Sequence, residues 1–121
     1  MQKILVPSGE KTMERLIMGN KDSLELRFHK ELIKGYEETK RECGYNATRF
    51  IQDVSKNGGL AVARKLIGKP GGSDGFTKLW EAGRLDLSVE ACALRPEFEP
   101  LFTEKELETC RERLKAFGYN I

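Results

Sequence analysis

The chain has 121 residues, 39% of them hydrophobic and 33% charged, with a formal net charge of +2. That balance is too apolar for intrinsic disorder and too charged for a membrane protein, and the length suits one domain with a core of its own. No apolar run approaches the roughly 18 residues of a membrane-spanning helix, and Met1–Pro7 is too short for a secretory signal, so no membrane and a cytoplasmic place are expected.

Pro7-Ser8 predicts a short helix over 10–19, with Met13, Leu16 and Ile17 on one face and Gly19-Asn20 as its end. Asp22 then opens the longest helix, over 23–42. In it Leu24, Phe28, Leu32 and Tyr36 recur every fourth residue, and Gly35 costs about 1 kcal/mol relative to alanine. Gly44 stops it. Asn46 predicts the N-cap of a helix over 47–57, whose Ala47, Phe50, Ile51 and Val54 form one buried stripe. After Asn57-Gly58-Gly59, the run Leu60–Ile67 is apolar nearly all round, which marks a helix at the centre of a core. Gly68–Gly75 is a loop of turn formers.

Ser73 or Asp74 caps a helix over 75–82 that presents Phe76, Leu79 and Trp80 and is closed by Gly83. Ser88 caps a short helix over 89–94, and Pro96 and Pro100 frame an extended link. Thr103-Glu104-Lys105-Glu106 is a full capping box for the last helix, 104–117, which shows Leu107, Cys110, Leu114 and Phe117 on one face before Gly118. Only Ile4-Leu5-Val6 has a strand-like character. The pattern predicts one all-α domain of six or seven short helices, with residues 1–43 as a helical extension of a unit over 44–121. Phe50, Ile51, Val54, Leu66, Leu79, Trp80, Leu107 and Leu114 are expected to meet in a single core.

Charge is unevenly spread. Residues 40–80 carry eight basic and three acidic side chains, whereas 81–121 carry six basic and nine acidic. A basic middle can steer an anionic partner, and Arg49, Lys56, Arg64, Lys65, Lys69 and Lys78 are its candidate contacts; a polarised solvated surface is the plainer reading. Cys43, Cys92 and Cys110 form neither a CxxC pair nor a disulfide framework and read as small apolar residues in a reducing compartment.

Five constellations bear on chemistry. Residues 47–67 have the length of a helix-turn-helix, yet the second helix offers Leu60, Ala61, Val62, Ala63, Leu66 and Ile67 where base readout needs polar side chains, so a helical hairpin in the core is preferred. The glycine loop 68–75 could cradle phosphate beside Lys69 and Lys78, but its order is not that of a P-loop and a simple connector is preferred. His29, with Glu25 one turn earlier, could form a general base, but no nucleophile accompanies it. Asp86, Glu90, Glu97 and Glu99 could hold a divalent cation; Glu90 reads instead as a first-turn residue that bonds the cap, and Asp86 as a cap of the turn after Gly83. Phe76, Trp80, Phe98, Phe102, Phe117 and Tyr119 could stack bases, although helical spacing places them in the core first, with Trp80 as a candidate interface aromatic.

The skeleton Gly44-Tyr45, Phe50, Gly58-Gly59, Ala63, Leu66, Gly75-Phe76-Thr77-Lys78-Leu79-Trp80, Leu85-Asp86-Leu87-Ser88-Val89-Glu90, Leu101-Phe102-Thr103, Arg111 to Leu114 and Gly118-Tyr119 resembles a small helical domain widespread in bacterial proteins. That domain occurs alone or as a tail on larger chains and has no assigned activity. The resemblance covers residues 44–119, implies a helical fold, and brings no catalytic or binding residue with it. Together these readings favour a non-enzymatic, monomeric binding module, without metal or cofactor, that docks onto a protein partner or nuclease assembly in a bacterial or phage setting. The alternative is a nucleic-acid-binding domain that uses the basic segment 40–80. If its six cations share one face, nucleic acid is favoured; if they scatter, a protein partner is.

Overall fold

The computed structural model describes the backbone of residues 13–120 and the side chains of residues 23–120. In chain order come α1 (Met13–Cys43), α2 (Thr48–Asn57), α3 (Gly59–Ile67), α4 (Asp74–Glu81), a 3-10 turn (Leu85–Leu87), α5 (Val89–Ala93), a second 3-10 turn (Glu99–Leu101) and α6 (Glu104–Ala116). Among the described residues there is no strand, so the fold is all-α. The strand-like Ile4-Leu5-Val6 and the Pro7-Ser8 cap lie outside the described residues.

The N-terminal half differs from expectation in one respect. Gly19-Asn20 does not divide two helices, because α1 runs unbroken for 31 residues, about 46 Å at the usual rise. Glycine costs about 1 kcal/mol inside a helix, and asparagine less. Once a long helix is nucleated, each added residue gains a hydrogen bond, and two weak formers do not stop it. Gly44, at φ +70°, does stop it.

The start of α2 is a second correction. Asn46 does not cap it: Ala47 occupies the cap position and makes no side-chain cap bond. The Asn46 side chain is taken instead by Tyr36, whose hydroxyl donates to Oδ1 at 2.7 Å. The other caps stand as read. Ser73 accepts from the Phe76 amide, Ser88 accepts from the Ala91 amide, and Thr103 with Glu106 closes a reciprocal capping box. The segment between Pro96 and Pro100 is not an extended link. It turns tightly and buries Phe98, since the fixed φ of proline suits a turn as well as an extended chain.

Packing forms two apolar clusters, not one core. The larger joins Phe28 and Leu32 of α1, Ala63 and Ile67 of α3, Cys92 and Ala93 of α5, and Leu107 and Cys110 of α6 with Phe98, Leu101 and Phe102. Phe28 is fully buried and meets Phe98 and Phe102 edge-on, with ring centroids 5.2 and 5.4 Å apart. The smaller joins Phe76 and Leu79 of α4 to Leu85 and Leu114. Leu94 packs against both clusters. Val54, Leu79, Leu107 and Leu114 are buried as expected, whereas Phe50, Ile51 and Leu66 are half-buried and Trp80 is exposed. Trp80 is left out because α4 packs chiefly on the turn Leu85–Leu87 and turns only one side inward.

As the apolar run Leu60–Ile67 implied, α3 is central and packs against α1, α2, α5 and α6. Its first residue must be glycine. A Cβ on Gly59 would lie 2.9 Å from the His29 Cα and 3.2 Å from Leu32 Cδ1, so α1 and α3 touch backbone to backbone.

Candidate binding cleft

A cleft of about 850 Å³ opens between the two clusters. Its lining includes the buried Leu32 and Cys92 of the larger cluster and the buried Phe76 and Leu79 of the smaller. Thr39, Ser88 and Glu90 are the buried polar residues of the described chain, and all three line this cleft. Two are satisfied locally. The Thr39 hydroxyl donates to the Gly35 carbonyl at 2.7 Å, and the Ser88 hydroxyl donates to the Leu85 carbonyl at 2.7 Å while accepting from Ala91.

Glu90 is different. It is 2% exposed, and its Oε2 accepts from Arg113 Nη1 at 2.7 Å. The same guanidinium donates to the carbonyls of Leu66 (3.3 Å), Ile67 (3.2 Å) and Lys69 (2.8 Å), so Arg113 closes the C-terminal end of α3 and anchors the start of the glycine loop. Glu90 therefore does not bond the cap of α5; Ser88 alone does that, and the carboxylate points to α6. No described residue donates to Glu90 Oε1. The ion pair was missed at the level of sequence, although a signal existed. Arg113 lies three residues after Cys110 and four before Phe117, on or beside the inward face of α6, where a cation requires an acidic partner.

The rim of the cleft is densely charged. Glu31 pairs with Arg95 at 2.9 Å, Asp53 with Lys65 at 2.7 Å, and Asp86 with Arg84 at 3.0 Å; Arg84 also reaches Glu38 and Glu42. The Asp53 carboxyl is held below its ordinary value by the hydrogen bonds from Lys65 and Asn57, and that of Asp86 by the hydrogen bond from Arg84. Lys34, Arg49 and Lys69 also line the cleft and have no ion-pair partner among the described residues; Asp74 is the one lining carboxylate in that position.

The six basic candidates do not line one depression. Arg49, Lys65 and Lys69 line this cleft. Arg64 lies at a separate shallow groove beside His29 and is paired with Glu106 at 2.9 Å. Lys78 lines a third depression near Cys43, and Lys56 sits exposed at the end of α2. Arg49 and Lys56 are both exposed on α2, whereas α3, the helix that a helix-turn-helix would insert into DNA, is enclosed on several sides.

His29 is a structural acceptor. Its Nδ1 receives the Gly59 amide at 2.9 Å and thus satisfies a free N–H at the start of α3. That bond fixes Nδ1 as the unprotonated nitrogen. Glu97 and Glu99 are exposed and apart from the Glu90–Arg113 pair, and among the described residues no group of three or more His, Cys, Asp or Glu could hold a metal ion. Cys92 and Cys110 are buried, and burial pushes their thiols up to about 11 and about 12; Cys43 is half-buried.

Of the aromatic set, Phe76, Phe98 and Phe102 are buried and Phe117 and Tyr119 half-buried. Trp80 is 47% exposed and sits edge-on against Phe117, centroids 5.4 Å apart, with Phe117 edge-on against Phe76 at 5.0 Å. No described helix is long and apolar enough to cross a membrane. Comparison of the chain with protein-family models, curated proteins and solved structures gives no match.

Proposed function

We propose that this chain is a non-enzymatic binding module that docks a protein partner through the aromatic ledge of Trp80 and Phe117. The observation that carries the reading is the Trp80 indole, 47% exposed yet held against a stack that ends in the buried Phe76. A large aromatic side chain presented on a fixed support loses little conformational freedom on binding, and tryptophan is enriched among the residues that dominate protein interfaces. Only three of the six candidate cations, Arg49, Lys65 and Lys69, line one depression, and Lys65 and Arg64 are engaged by Asp53 and Glu106, which supports a protein partner over a nucleic acid.

The test is affinity capture from a bacterial lysate with the intact chain and with Trp80→Ala, quantified by mass spectrometry. The substitution removes a half-exposed ring, and circular dichroism checks that the variant stays helical, so the wild-type chain should enrich a partner that the folded variant loses. Equal enrichment by both would refute the reading. A nucleic-acid-binding role has one observation in its favour, the cations Lys34, Arg49 and Lys69 along one cleft. It requires duplex binding at low salt that weakens as salt rises, with a slope near −0.9 per phosphate contact. No binding at low salt removes it.

A further inference from the structure

Building on the docking role of the Trp80–Phe117 ledge, we propose that the partner presents an arginine-bearing basic segment and that the indole of Trp80 receives one of its guanidinium groups. Three observations specify that chemistry. The first is the ring itself. Trp80 is 47% exposed, and it meets Phe117 edge-on, with the two ring planes 79° apart. Whichever ring supplies the edge, Phe117 leaves at least one face of the indole uncovered. A tryptophan face is the strongest cation–π acceptor among the side chains. Arg27 and Arg95 both lie over Phe98, and no described cation stacks on Trp80.

The second is where the ledge stands. Trp80 belongs to the last turn of α4 and Phe117 caps the C-terminus of α6, so two helix C-termini meet at the ledge. A helix carries partial negative charge at that end and favours a cation there. The chain places its own cations elsewhere. Lys78 and Lys115 each precede the ledge residue of their helix by two positions, which turns them roughly 160° away round the helix axis, and Lys78 lines the depression beside Cys43. Arg84 is held by Glu42 and Asp86, and Arg113 by Glu90. The third is the wider field. Residues 81–121, which follow Trp80, carry six basic and nine acidic side chains, a balance that attracts a basic segment. Arginine suits the ledge better than lysine, because its flat guanidinium stacks on an aromatic face.

Trp80 is the single tryptophan of the chain, so its emission reports the ledge directly. The full chain is titrated with three capped nine-residue peptides, identical except at three positions that hold arginine, citrulline or glutamate. Citrulline keeps the flat shape of arginine and lacks its charge. The arginine peptide should shift Trp80 emission saturably and bind severalfold more tightly than the citrulline peptide, with the glutamate peptide weakest. That preference should shrink as salt rises, since exposed charges are screened. Loose attraction to the acidic segment is tested by the anisotropy of dye-labelled arginine and citrulline peptides with Trp80→Leu, whose helicity circular dichroism checks. Leucine is apolar and has no π face, so this variant should bind the two peptides alike. Equal binding of the two peptides by the wild-type chain, or an arginine preference that survives Trp80→Leu, overturns the proposal and leaves the docking role, which stands or falls with the partner captured from the lysate. Trp80 emission unmoved by all three peptides overturns the proposal as well.

Discussion

Removing Arg113 should damage this protein more than its position on a surface helix suggests. Arg113→Met leaves the Glu90 carboxylate, 2% exposed, without its cation and frees the carbonyls of Leu66, Ile67 and Lys69. Breaking a buried pair from one side costs about 3–5 kcal/mol. A chain of this length has a total stability of about 6–18 kcal/mol at about 0.05–0.15 kcal/mol per residue, so the loss is a large share of it. Glu90→Leu breaks the pair from the other side and leaves the Arg113 guanidinium, its side chain 8% exposed, without its anion, so it should cost about 3 kcal/mol, the low end of the range for a broken buried pair, because Arg113 keeps its three carbonyl acceptors. The double variant removes both charges and should fall short of the sum of the single costs by about 1–3 kcal/mol. Urea unfolding followed by circular dichroism at 222 nm gives all three values on one scale. Additivity within about 0.5 kcal/mol would show that the two side chains are not coupled and would refute this account of the pair.

Gly59→Ala should destabilise the fold by about 1–3 kcal/mol, because the new methyl meets the backbone of α1 at 2.9 Å; an unchanged urea midpoint would mean that the helices part freely. Phe28→Ala should cost about 3–5 kcal/mol in the same assay, since it empties the centre of the larger cluster. Cys43 should react with a disulfide reagent at neutral pH well before Cys92 and Cys110, whose thiols burial keeps protonated; three equally fast thiols would contradict the packing. Those two raised values also set a sign. The unfolded chain ionises its thiols near 9, the folded chain only near 11 and 12, so their contribution is complete below about pH 9 and declines as pH rises from there towards 12, which alkaline unfolding curves of wild type and Cys110→Ala would reveal.

Local chemistry was legible in the sequence, and long-range chemistry mostly was not. Ser73, Ser88 and the Thr103–Glu106 box act on amides three residues away, so their roles follow from spacing alone. Asn46 satisfied the same spacing rule but lost its side chain to Tyr36, ten residues earlier, which no local rule anticipates. Trp80 sits on a helical stripe with Phe76 and Leu79, yet a stripe says which residues share a face, not how far the neighbouring element covers it. Glu90 carried two correct local attributes, a first-turn position and a negative charge, and its actual partner stands 23 residues away. The cleft was least legible, because it depends on α4 packing chiefly on the 3-10 turn Leu85–Leu87, a matter of tertiary placement.

The two clusters are not independent, because α6 belongs to both: Leu107 and Cys110 lie in the larger, Leu114 and Phe117 in or against the smaller. Amide hydrogens in the middle of α6 can therefore exchange with solvent only when both clusters open, whereas those of α4 are released by opening the smaller cluster alone. The exchange map of this protein should be graded accordingly. The slowest amides should lie around Cys110 and Leu114, and α4 should open at a lower free energy while the rest of the helices remain closed. Such a hierarchy would give the wall of the cleft formed by α4 a freedom of its own, so that the space between the clusters can widen without unfolding the chain that encloses it.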